Sequence, residues 1–316
     1  MKDPSYGSNA GFYRMMYRTR NETGMGVLTP SDMHVYYQRA VQRGQPLEVA
    51  VALGLHITEL LAASYQAPKD VDELAVAGGL RGEPLALTPA KTVDLAVPAD
   101  AEIVIEGYLP PTGWSENEGP FGEFTRCTGG VVQMPVFRVT AVTTRRDPIF
   151  YSLHMPDENI WLLAPRVEGT ALKVLRDARI DGVAACCPPG GSGTVLYVAI
   201  RKSVPGDSRD AIYVLLSSIR LLKYVVVVDD DIDVYDQEQI DWALAFRNQP
   251  LSDVIVHTGA RAAPLDPSTQ SWKAGPGQLV TTSKLGIDAT VPDYAPRERF
   301  VRLTPAFSGV RLADYQ

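Results

Sequence analysis

The sequence predicts a mixed α/β protein of two domains: a small antiparallel β-barrel over residues 1–150, then a layered α/β domain over residues 151–316. Three observations predict it. Between residues 85 and 156 the β-type runs LALTPAKTVDLAVP, AEIVIEGYLPP, VVQMPVFRVTAVTTRR and DPIFYSLHMP follow one another, separated by Pro and Gly. Beyond residue 150 the texture changes to helical stretches alternating with buried strands, the pattern of an α/β layer. The length, 316 residues, suits about two domains with cores of their own.

The elements can be justified in chain order. FYRMMY (12–17) reads as a short strand entering a turn at Asn21–Gly24. A helix from Ser31 to Arg43 follows, opened by Pro30 with Ser31 or Asp32 and stopped by Gly44. PLEVAVALG is a buried strand, ITELLAASY a short helix, and DELAVAGGLRG another with a Gly-rich end. After the β runs, a helix near 166–178 precedes VLYVAIRK, one at 207–219 precedes YVVVVDDDID, and one at 236–246 follows it. Residues 262–280 read as a long Pro/Gly/Ser loop.

Composition bounds the function. A formal net charge of −7 gives no help toward nucleic acid or an anionic membrane, so an anionic ligand must be held by individually placed Arg or Lys. Three cysteines without CxxC spacing argue against both disulfides and zinc, and predict a reducing cytoplasm. The four histidines form no HxxxH or HExxH pattern, so a metal would rest mainly on oxygen ligands, which favours Mn²⁺ or Mg²⁺. No stretch approaches a membrane span and no signal-type apolar segment opens the chain.

Four segments carry chemistry. In Glu118-Gly-Pro-Phe-Gly-Glu123 two carboxylates flank a bend that is neither helix nor strand, so both can face one cavity and divide into an acid and its electrostatic partner. Equally, such a segment can be a solvated surface turn. Asn9-Ala-Gly-Phe-Tyr-Arg14 offers an amide oxygen for a hard cation and a permanent guanidinium, or an ordinary turn. Ser64 and Glu73, across a Pro-containing loop, offer a hydroxyl and a carboxylate, or a helix end with a solvated acid. Lys223 to Asp233 runs a buried strand into four carboxylates, which hold a cation or cap the next helix. The pair Cys186–Cys187 reads as a packed turn.

Taken together these segments resemble the UbiD family of reversible decarboxylases. The residues that carry the resemblance are AEIVIEGYLPP followed by EGPFGEFT, the PVFRVTAVTTRRDPIF run, VVVVDDDIDV with IDWALAFR, and SKLGIDATVP. The resemblance implies an FMN-binding split β-barrel-like first domain and a carboxy-lyase using prenylated FMN. The substrate would be an aromatic or α,β-unsaturated carboxylic acid, losing CO₂ through a flavin adduct. It implies a catalytic Arg14, Glu118 and Glu123, and cofactor contacts from Asn9, Phe12, Tyr13, Arg14, Ser31, Ser64 and Lys223. It further implies Mn²⁺ (or Mg²⁺) on Asn9, Asp32 and Glu73, with K⁺ as the ion expected near Ser64. Other readings are a noncatalytic subunit of a heteromeric complex, or a plain FMN oxidoreductase, although no GxGxxG fingerprint supports the latter.

Three departures from the family pattern matter. Its third metal ligand is commonly His; here Asp32 takes that place, with His34 two residues on. Thr125-Arg126-Cys127 follows the hexapeptide where relatives are aromatic, which brings an extra Arg126 toward the pocket. Finally, relatives carry a lobe before the Asn–Arg segment and a helix after the last strand. Asn9 and Arg14 therefore sit where a chain end frays, and the expectation is an oligomer, with a second subunit that supplies the missing lobe or a homo-oligomeric neighbour to brace them, unless the sequence is a fragment.

Overall fold

The computed structural model describes residues 1–28, 31–65, 67–68, 71–263, 265–269, 280–303, 311 and 313. These fall into two compact units, Met1–Arg166 with Pro264–Val280, and Val167–Ala263 with Thr281–Gln316.

In chain order the first unit holds β1 (Lys2–Asp3), β2 (Gly7–Ser8), β3 (Met15–Thr19), β4 (Glu22–Met25), α1 (Asp32–Gln42), β5 (Leu47–Leu53), α2 (Ile57–Ser64) and α3 (Glu73–Arg81). It continues with β6 (Leu87–Pro89), β7 (Ala96–Pro98), β8 (Ile103–Leu109), β9 (Glu116–Glu118), β10 (Val132–Met134) and β11 (Val136–Thr144). Five strands make one antiparallel sheet in the order β3-β4-β11-β8-β5. Its edge strands β3 and β5 do not pair with each other, so the barrel is split. Helix α1 shows why sequence dictates its place: Ser31 caps it by accepting from His34 N at 3.2 Å, and Met33, Tyr36, Tyr37 and Ala40 form one buried stripe. That stripe packs with Met25, Val27, Leu47, Val49, Leu109 and Phe137, a core shared with the sheet.

Several local expectations are corrected. Glu22–Met25 is a strand, not a turn; the reversal comes earlier, and Thr19 pairs with Glu22. Leu87–Pro98 folds as the separate hairpin β6–β7. Pro135 has no N–H for a ladder, and it divides VVQMPVFRV into β10 and β11. Residues 147–156 form no strand: Pro148 stands at the start, and Ile149 and Phe150 are exposed with no face to bury.

The chain start is tied down by this unit itself. β1 pairs with β2, Asn9 N donates to Met1 O at 3.0 Å, and the buried Asp3 carboxylate accepts from Arg39 and Arg43 of α1 at 3.2 Å each. These contacts hold Asn9 within the first unit.

Helix α4 (Ile160–Asp177) runs across the division. The second unit then holds β12 (Asp181–Cys186), β13 (Val195–Arg201), α5 (Asp207–Ser218), β14 (Tyr224–Asp229), α6 (Gln237–Phe246), α7 (Pro250–Asp253), β15 (Val254–Arg261) and β16 (Thr281–Asp288). The sheet order is β12-β13-β14-β16-β15, with β13, β14 and β16 parallel and an antiparallel strand on each edge. Buried on both faces, β14 reads as an unbroken valine run, as an interior parallel strand should. Cys186 ends β12 rather than lying in a turn, and Cys187 N donates to Glu168 Oε1 at 2.8 Å.

Candidate active site

Arg14 lies just before β3, and its guanidinium joins the two glutamates of the hexapeptide. Nε and Nη2 donate to Glu118 Oε2 at 3.1 and 2.9 Å, and Nη1 donates to Glu123 Oε1 at 2.7 Å. The loop between β9 and β10 makes this geometry. Glu118 ends β9, paired with Val132, and the chain then doubles back on itself. Glu123 N donates to Cys127 O at 3.0 Å and Gly129 N to Phe121 O at 2.8 Å. Gly119 takes φ +93°, and a Cβ there would come within 2.8 Å of Gly130 O; a Cβ on Gly129 would meet Glu123 Oε1 at 2.7 Å. The two carboxylates thus stand side by side under one cation, with the Phe121 ring 4.7 Å from the Arg14 guanidinium carbon.

Electrostatically the two acids differ. Glu118 is wholly buried, and its Oε1 has no hydrogen-bond partner. Burial pushes the Glu123 carboxyl up from its ordinary range, Arg14 pulls it back, and the Glu118 charge pushes it further up. An acid held toward its protonated form beside a fixed carboxylate and a permanent cation can give a proton to a reacting carbon.

A second polar group lies at the start of α1 and α3. Asn9 Nδ2 and Ala10 N donate to the two oxygens of Glu73, at 3.1 and 3.0 Å. Glu73 is buried, and that burial, with Asp32 and Asp72 nearby, pushes its carboxyl up. Ser8, Asn9, Asp32, Tyr36 and Glu73 line one cavity. Asn9 Oδ1 is buried and unpartnered. An amide oxygen left bare among carboxylates is an acceptor awaiting a cation, so the donor set fits a hard metal ion. Among the described residues no group of three or more His, Cys, Asp or Glu is placed to hold a metal; this set includes an amide instead.

Residues 1–157 match the 3-octaprenyl-4-hydroxybenzoate carboxy-lyase Rift-related domain, and residues 160–289 match the 3-octaprenyl-4-hydroxybenzoate carboxy-lyase C-terminal domain, the two domains of UbiD. The chain belongs to the UbiD family. It is 34% identical over 313 residues to an anhydromevalonate phosphate decarboxylase of Methanothermobacter thermautotrophicus, covering 96% of this chain and 70% of that protein. It is 31% identical over 307 residues to a phenolic acid decarboxylase of Bacillus subtilis, covering 95% and 63%. Its fold is similar to the UbiD-class enzyme HmfF from Pelotomaculum thermopropionicum, solved in complex with FMN: TM-score 0.90 and 36% identity over all of this chain and 69% of that one. The chain spans 60–70% of the length of these and a further curated relative.

Within the UbiD frame the remaining expected residues scatter. Ser31 holds the α1 cap and donates to Leu28 O at 2.8 Å. Tyr13 is half-buried and its hydroxyl, facing Ser31 and Met33, is pushed up to about 12, chiefly by burial. Phe12 is exposed. The Ser64 hydroxyl donates to Leu61 O at 2.8 Å, and its carbonyl accepts from Arg166 at 3.2 Å. Lys223 lies in the second unit, its backbone tied to Thr194 O and Leu285 N. His34 is not on the Asn9 cavity; its ring packs against Trp114, tilted by 40° with the centroids 4.8 Å apart, and burial pushes it down. Arg126, at φ +61°, pairs with Asp157 at the surface rather than with Glu118 or Glu123. The acidic run after β14 is bound up by arginines: Asp229 and Asp231 by Arg247, Asp230 by Arg201 and Arg297. Sequence reasoning missed Asp3, Tyr36 and the stacking of Arg14 on Phe121. A signal for Asp3 was available in Arg39 and Arg43, four residues apart on one helix face.

Proposed function

We propose that this chain is the core of a prenylated-FMN-dependent carboxy-lyase, which reversibly removes CO₂ from an aromatic or α,β-unsaturated carboxylic acid. The observation that carries the reading is Arg14 bridging Glu118 and Glu123, with a bare buried oxygen on one and a raised carboxyl on the other. When bound, the prenylated flavin supplies the electron sink that C–C cleavage requires. Arg14 fixes both carboxylates through charge-assisted bonds and prevents their mutual repulsion from spreading them apart. Glu118, held by that contact, keeps its Oε1 as an open acceptor. Glu123, kept toward its neutral form, delivers the proton to the carbon that lost CO₂.

Asn9 Oδ1, Asp32 and Glu73 would hold Mn²⁺ or Mg²⁺ and so compensate a cofactor phosphate at the start of α1. The packing of His34 on Trp114 favours Asp32 over it as the third ligand. We assign no K⁺ to Ser64, because its carbonyl already accepts from a permanent cation, Arg166. None of the three cysteines is in a disulfide, which is compatible with a cytoplasmic setting, and no helix among the described residues is long and apolar enough to cross a membrane. The substrate names of the curated relatives, one a phosphorylated aliphatic acid and one a phenolic acid, keep both classes open to test. An oligomer remains part of the reading, but not on the ground that the Asn9 segment needs a brace.

The test is to produce the chain in cells able to prenylate flavin, then record the mass and absorption spectrum of the bound cofactor. Prenylated FMN is the expected result; plain FMN alone would point to an oxidoreductase and contradict the proposal.

A further inference from the structure

We infer that Asp3 is a positioning residue for the Asn9 donor, and that its clamp on Arg39 and Arg43 sets the affinity of the metal site proposed above, on which this inference rests. Asp3 is one of the most deeply buried acids in the first unit, at 1% exposure. Its Oδ1 accepts from Ser5 N at 2.9 Å, and its Oδ2 accepts from Arg39 Nε and Arg43 Nη1, both at 3.2 Å. Arg39 adds a bond to Ser5 Oγ at 2.7 Å and lies 4.9 Å from the Tyr6 ring, which stacks in turn on Tyr36.

These contacts join two elements that carry donors. The β1–β2 register pairs Lys2 with Ser8 and Asp3 with Gly7, so Asn9 leaves the hairpin one residue beyond its last rung. Arg39 and Arg43 belong to α1, whose first residue is Asp32. The clamp therefore fixes the distance between the hairpin that presents Asn9 and the helix that presents Asp32, and both donors open on the same cavity. Outer groups that orient ligands commonly change metal affinity by about 10–100-fold when removed, without touching the ion.

The experiment titrates Mn²⁺ into the FMN-loaded protein and reads free Mn²⁺ by electron paramagnetic resonance. It compares the wild type with Asp3→Asn, Arg43→Gln, Asn9→Ala and Glu106→Gln. Glu106→Gln removes another deeply buried carboxylate, on β8, and controls for loss of stability. Asp3→Asn should weaken Mn²⁺ binding at least about tenfold, Arg43→Gln by less, and Glu106→Gln not at all. Affinity within twofold of the wild type in folded Asp3→Asn would overturn the inference while leaving the metal reading intact. If Asp3→Asn does not fold, Arg43→Gln decides, and unchanged affinity there would overturn it. A wild type that binds no Mn²⁺, or an Asn9→Ala that binds normally, would overturn the metal reading and the clamp with it.

Discussion

The two units each contain an arginine set between two carboxylates, and the contrast between them sets the proposed site apart from a structural cluster. In the second unit Arg247 is buried at the end of α6. It donates to Asp229, to both oxygens of Asp231 and to Phe300 O. Asp229 also accepts from Val291 N at 2.6 Å. Every contact there ties chain to chain, and the atom left unpaired is a donor, Arg247 Nε. In the first unit Arg14 keeps 26% of its side chain exposed, and the atom left unpaired is an acceptor on Glu118. Burial pushes its partner Glu123 toward protonation, but it does the same to Asp229 in the other cluster, where Asp231 is pulled down, first by its bonds from Arg247. An arginine–carboxylate cluster alone does not mark an active site. Access and a bare acceptor are what the Arg14 cluster adds.

The sharpest break of this comparison is Glu123→Gln. The amide keeps shape but cannot supply a proton, so CO₂ release should fall by about 10²–10⁴-fold while flavin absorbance per chain stays the same. The matching change in the other cluster, Arg247→Ala, leaves Asp229 buried without its cation. It should cost about 3–5 kcal/mol in denaturant melts, with flavin content per folded chain unchanged. A smaller effect sharpens the metal assignment: Asp32→Asn should weaken Mn²⁺ binding, whereas His34→Ala should only loosen packing on Trp114.

The smallest effect is in the acid stability. Burial opposes ionisation of Glu106, but bonds from Lys91 N, Thr92 N and Thr92 Oγ1 outweigh it and hold the carboxyl below its usual range. A depressed carboxyl stabilises the fold above its unfolded-state range, and that contribution disappears as pH falls through its folded value. Melts of Glu106→Gln should therefore show a weaker acid dependence than the wild type below about pH 4.5.

Much of this was legible in the sequence because local chemistry and tertiary structure agree. Ser31 and Gly44 bracket α1 almost to the residue, and the two glycines and proline of the hexapeptide forbid regular structure between its acids. The valine run of β14 declares a strand buried on both faces. Other features depend on partners that no local pattern reports. The 147–156 run alternates like a strand, yet no neighbour offers it a ladder, and Ile149 and Phe150 stay exposed. The acids after β14 look like a cation site until Arg247, Arg201 and Arg297 arrive from far along the chain. Asp3 looks like part of a polar start until α1 folds over it. The pairing of Arg14 with acids more than a hundred residues away came from the family resemblance, since spacing alone shows no such contact.

The most direct test of the central claim is CO₂ release by the protein loaded with prenylated FMN, over a panel of phenolic, other aromatic and α,β-unsaturated aliphatic acids. Release with at least one acid is predicted, absent with plain FMN and lost in Glu118→Gln and Glu123→Gln. No release from any acid by the loaded protein, or release that survives both substitutions, would contradict the claim.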